Sequence, residues 1–262
     1  MKTYTKLALV FVIVGIFSAA AGALIAPFTG FTFYKVVRRS VAVFAIIGCW
    51  LFWKFYLKRP IKSLGLDLSG KQLRNLFVGL SLGVGAISIY VALAIGSGLF
   101  KVELHRFSQE FLFVAAWSLP AAIIIGIMEE FLFRGVTLQS LLVDLKMPLA
   151  VVITSAFYAI IHTKMPHQLI VMWPKLLGLF LLGIALCYGY LRSGSLFLSI
   201  GIHSGLVYAI KLRKMLFVDP PAQFEWLFGD KWLVGGALSW FAIGIIILLI
   251  RTNPFGIIAK YE

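Results

Sequence analysis

Apolar stretches long enough to cross a hydrocarbon layer recur along nearly the whole of this 262-residue chain, and no other feature restricts its fold as strongly. A helix rising about 1.5 Å per residue needs roughly 17–25 residues to span about 30 Å. Runs of that order fall at 7–26, 41–57, 75–99, 111–128 with an amphipathic continuation to 143, 148–162, 169–191, 195–210 and 233–250, each bounded by charge, Pro or Gly. A bilayer core offers no water to unpaired backbone groups, which excludes open sheet edges, so the expected fold is an all-α bundle of about eight transmembrane helices. No internal repeat, low-complexity tract or long polar linker interrupts the pattern. Residues 1–262 are therefore expected to form a single membrane domain.

Composition agrees: 61% of residues are hydrophobic and 13% charged, and the mean hydropathy of +0.99 exceeds what a soluble domain of this length hides in one core. The net charge of +14 sits mostly in short gaps between apolar runs, where Lys and Arg meet anionic headgroups. That placement argues against a nucleic-acid partner. Cys49 and Cys187 lie inside apolar runs without metal-ligand spacing and read as small core residues. The first apolar run is longer than a signal-peptide core and is expected to be retained as a span, despite the small residues Ala19 to Ala23. Lys54, Lys58, Arg59, Lys62, Lys71 and Arg74 against one acid, Asp67, argue that this loop, and with it the N-terminus, faces the cytoplasm. The same choice leaves Lys35, Arg38, Arg39, Lys101, Arg106, Lys164, Lys211, Arg213, Lys214 and Lys231 outside, against that tendency.

Of the ten acidic residues, eight fall in loops or ends, and Glu129 and Glu130 are the exceptions. They follow the uncharged run Pro120 to Met128. An ionisable group at membrane depth costs about 2.5–3.5 kcal/mol on insertion scales, so an adjacent acidic pair needs a reason. Arg134, four residues after Glu130, shares its helix face and supplies one as an ion pair. Glu129 points about 100° away and is left without that partner. A carboxylate removed from water is a better proton acceptor, which suits it to general-base work.

Of four histidines, His162 and His203 lie within or at the ends of apolar runs, whereas His105 and His167 are in loops. One histidine on an apolar face is usually a satisfied core residue. Two in separate spans, with a carboxylate in a third, make a set able to hold one water for attack on a peptide carbonyl.

Glu129-Glu130-Phe131-Leu132-Phe133-Arg134 resembles the EExxxR motif of the CPBP family, which includes CAAX prenyl proteases and bacteriocin-processing, Abi-like proteins. Tyr158-Ala159-Ile160-Ile161-His162 is similar to its FxxxH motif, and His203 stands where a third, HxxxN or HxxxD, is expected. The resemblance covers about residues 111–210, the expected catalytic core. It implies a multi-pass protein of the bacterial inner membrane that cleaves a membrane-associated protein or peptide without a cofactor. Glu129 would activate water, Glu130 and Arg134 would hold the helix, His162 would orient the water or protonate the leaving amine, and His203 would polarise the scissile carbonyl.

Two positions depart from the family pattern. Tyr158 replaces the aromatic Phe, and Val207 stands where Asn or Asp is usual four residues after His203. Val207 cannot donate a hydrogen bond, so Ser204, Tyr208 or Ser199 would have to support the developing oxyanion. Three other readings remain. A divalent metal could be held by Glu129, His162 and His203. A non-catalytic immunity or sorting factor could grip a partner in the same cavity, as Val207 favours. A transporter is ranked last, for want of duplicated or interrupted helices.

Overall fold

The computed structural model describes residues 2–66, 68–98, 103, 106–162, 172–218, 221–229 and 234–252. The expectations attached to Asp67, Lys101, His105, Lys164, His167 and Lys231 lie outside them. The elements are α1 (Thr3–Thr29), α2 (Phe33–Leu51, continued by a π-helical turn Phe52–Leu57), α3 (Gly70–Gly96), α4 (Gln109–Glu130), a π-helical segment Phe131–Leu138, α5 (Gln139–Asp144), α6 (Met147–Ile161), α7 (Trp173–Ser193), α8 (Leu196–Leu216), α9 (Glu225–Phe228) and α10 (Ala237–Thr252). The fold is an all-α bundle with no β-strand among the described residues. Each of the eight expected spans corresponds to a helix, and six helical stretches are long and apolar enough to cross a membrane. The other two differ: α6 and α10 have 15 and 16 residues, so α6 extends only about 22 Å. The short helix α9 and the π-helical segments were not expected from the apolar pattern.

The tightest packing joins α3 to α8. Gly79 and Gly83 of α3 face Gly201 and Gly205 of α8, and a Cβ at Gly83 would stand 2.5 Å from the Ile202 carbonyl oxygen. Small residues four apart on both helices let the backbones touch, which is how apolar helices associate when lipid removes any hydrophobic drive. Gly85 and Gly96, on the same helix, have nothing within 4 Å. Only the glycines on the α8-facing side of α3 serve this contact.

One end of the bundle is organised by a small set of polar contacts. The Thr3 amide donates to Asp144 Oδ2 at 2.6 Å, Arg59 Nη1 donates to Gln139 Oε1 at 3.2 Å, and the Ser195 hydroxyl donates to the Gly65 carbonyl at 3.2 Å. Gly65 has φ 64°, and a Cβ there would lie 2.7 Å from Ser195 Cα. Gly194, also left-handed at φ 64°, closes α7, and the Ser195 hydroxyl then accepts from the Phe197 amide at the start of α8. This turn fixes the register of α8 and with it the height of His203. The N-terminus and the basic loop share this end with Lys146, Arg192 and Arg251.

Candidate active site

Glu129 and Glu130 close the regular part of α4, where the chain passes into the π-helical segment. A π turn rotates the residues that follow relative to those before it, and such turns concentrate at functional sites. Thr137 marks the widening by donating to the Leu132 carbonyl five residues back at 2.8 Å. The ion pair expected from spacing is present: Arg134 Nη1 lies 3.0 Å from Glu130 Oε1, and both side chains have no solvent exposure. Arg134 Nη2 also donates to the Gly183 carbonyl of α7 at 3.1 Å.

A further partner of Glu130 was not foreseen. His203 Nδ1 donates to Glu130 Oε1 at 2.9 Å, joining α8 to α4. His162 is pinned in the same way, with Nδ1 donating to the Tyr158 carbonyl at 2.8 Å. A hydrogen bond at one imidazole nitrogen fixes what the other can do. Both rings therefore turn Nε2 to one oxygen: Glu129 Oε2 is 3.2 Å from His162 Nε2 and 3.7 Å from His203 Nε2. Glu129 lacks Arg134 as a partner, as the spacing implied, and its neighbours come from α6 and α8. The contacts are close, yet Oε2 has no aligned hydrogen-bond partner among the described residues. Its lone pairs stay available to an incoming O–H.

These groups sit at the polar end of an apolar cavity of about 240 Å³ enclosed by α3, α4, α6, α7, α8 and α10. Side-chain exposure separates the two carboxylates, at 30% for Glu129 and 0% for Glu130. Tyr158 is wedged among the charged groups. Its ring centroid is 4.2 Å from that of His162 and 6.3 Å from that of His203, with the Arg134 guanidinium 4.9 Å away.

The candidates for oxyanion support, Ser204, Tyr208 and Ser199, are not among the residues that line the cavity. His203, Leu206, Val207 and Ile210 of α8 line the cavity, the i, i+3, i+4, i+7 face of one helix. Ser204 and Tyr208 each follow a lining position by one residue, about 100° around the helix, and are not part of the wall. Ser204 is buried beside Gly126 with its hydroxyl unpartnered among the described residues. The Ser199 hydroxyl is committed to the Leu186 carbonyl at 2.8 Å. Cys49 and Cys187 are free and buried in the core. Among the described residues, no three His, Cys, Asp or Glu side chains are grouped to hold a metal ion.

Fold and site together define a polytopic helical membrane protein with a carboxylate between two imidazoles at the end of an apolar cavity. Residues 111–209 match the family model described as type II CAAX prenyl endopeptidase Rce1-like. Over this core, residues 111–209, the chain is similar to the CAAX-protease (CPBP) family. No curated protein matches the chain.

Proposed function

We propose that this chain is an intramembrane endopeptidase in which Glu129 activates the attacking water. The observation that carries the reading is the convergence of two imidazole Nε2 atoms on Glu129 Oε2, at 3.2 and 3.7 Å, inside an apolar cavity. A proton passes from water to Glu129 as the water oxygen bonds to the scissile carbonyl carbon, and the C=O π pair moves onto oxygen. As the C–N bond breaks, protonated His162 gives its Nε2 proton to the departing nitrogen, and Glu129 returns its proton to His162. His203, held by Glu130, directs Nε2 at the same space and polarises the carbonyl when that nitrogen carries a proton. Glu130 and Arg134 keep α4, α7 and α8 in register around it.

The cavity favours a substrate delivered from lipid. A second hollow of about 160 Å³ between α3 and α10 shares Ala86, Tyr90, Ala242 and Ile246 with it. The walls of that hollow also include Ile89 and Phe241, which are exposed on the bundle surface. A membrane-tethered peptide fits this arrangement, its apolar part in the hollow and its scissile bond at Glu129.

The test uses full-length protein reconstituted in liposomes, with a farnesylated, internally quenched peptide ending in a CAAX sequence. Cleavage by the unaltered chain and none by Glu129→Gln supports the reading. Equal cleavage by both sinks it. Val207 keeps one other reading in view, a non-catalytic binder using the same cavity, and full biological function of Glu129→Gln would favour that instead.

A further inference from the structure

The cavity is poor in hydrogen-bond donors, and most of its polar groups are already engaged. Tyr90 donates its hydroxyl to the Phe228 carbonyl at 2.6 Å. Ser239 has a partner within the protein. His162 and His203 commit Nδ1 to Tyr158 and Glu130, and Glu129 accepts. What remains is Tyr158. Its side chain lines the cavity, its ring stands against both imidazoles, and its hydroxyl has no hydrogen-bond partner among the described residues. The ring is held on its other side by Phe133, edge to face at 5.0 Å, and by the Arg134 guanidinium. Its orientation is therefore set before any substrate arrives.

A tetrahedral intermediate needs donors aimed at the oxygen on which charge develops, and in a water-excluded site each is worth far more than in solution. His203 can supply one through Nε2. Val207, one turn further along the same face of α8, lines the cavity and supplies none. We infer that the Tyr158 hydroxyl is the second donor to the oxyanion, reaching it from α6 across the cavity from Val207. The hydroxyl donates a hydrogen bond and transfers no proton, so the proton path through Glu129 and His162 is unchanged. On this assignment the Tyr at the head of the second motif and the Val after the third are one compensated change, the donor having moved from one wall of the site to the other.

The inference rests on the endopeptidase reading, and the experiment separates the two. Initial rates are measured in liposomes on the farnesylated CAAX peptide for the unaltered chain, Glu129→Gln, Tyr158→Phe and Tyr158→Phe with Val207→Asn. Tyr158→Phe is expected to lower kcat by on the order of 10²-fold, the usual cost of one lost oxyanion donor, with KM changed by less than about threefold. Val207→Asn in that background is expected to return part of the lost kcat. Glu129→Gln inactive beside a Tyr158→Phe of normal kcat would overturn the inference and leave the peptidase reading standing. The same holds if Tyr158→Phe raises only KM, if it lowers the unfolding temperature in step with activity, or if Val207→Asn restores nothing. No cleavage by the unaltered chain, or full cleavage by Glu129→Gln, would overturn both.

Discussion

The two sides of the Glu129-Glu130 pair are built differently. Behind Glu130 the structure is sealed: Arg134, itself held by the Gly183 carbonyl, and His203 flank a carboxylate with no exposure. Ahead of Glu129 it is open, with two imidazoles near one oxygen, neither in an aligned hydrogen bond to it, and an apolar hollow beyond. Adjacent residues of one helix thus differ in setting, one buried in an ion pair and one facing the cavity. A buried ion pair can position neighbouring groups but is shut off from a substrate, whereas a carboxylate that reaches the cavity has a lone pair to offer.

The division can be broken from either side. Glu129→Gln, which keeps shape and removes the base, is expected to lower the cleavage rate by about 10²–10⁴-fold while leaving the unfolding midpoint in detergent unchanged. Arg134→Met, on the sealed side, is expected to do the reverse first. Removing one partner of a buried pair costs about 3–5 kcal/mol, so the protein should unfold at lower denaturant and lose activity as a consequence. If Arg134→Met proved as stable as the unaltered chain, Glu130 would not be a structural anchor.

Smaller effects sharpen the same contrast away from the site. Gly83→Ala forces a Cβ against the backbone of α8 and is expected to cost about 1–3 kcal/mol in detergent unfolding. Gly85→Ala, two residues on, meets nothing within 4 Å and is expected to shift the same midpoint by less than about 1 kcal/mol, toward stability. Equal penalties at the two glycines would mean that helix flexibility, and not the contact of α3 with α8, is what Gly83 serves.

Much of this arrangement was legible in the chain itself. Membrane helices are readable because hydropathy is summed locally over one segment and needs no neighbour. The pairing of Glu130 with Arg134 was readable for a related reason: four residues on a helix fix a distance whatever the helix packs against. The motif spacing of Glu129, His162 and His203 assigned a carboxylate and two imidazoles to three separate apolar runs, and residues 111–209 carry the family match. Which glycines of α3 meet α8 was not legible, since composition reports that small residues are present and not which way they face.

What the sequence determined alone was the kind of molecule, an all-α membrane bundle with a costly acidic pair, since bilayer thickness and backbone hydrogen bonding act on each segment separately. Tertiary structure decided how those groups are used. The bond from His203 to Glu130 joins residues 73 apart in the chain. The exclusion of Ser204 and Tyr208 from the cavity wall, and the facing of Tyr158 and Val207 into it, depend on how far α6 and α8 are rotated about their own axes. That rotation is set by the glycine contacts of α3 with α8, by the turn at Gly194 and by the π-helical segment after Glu130. It is a property of packed helices, which no single segment of the sequence carries.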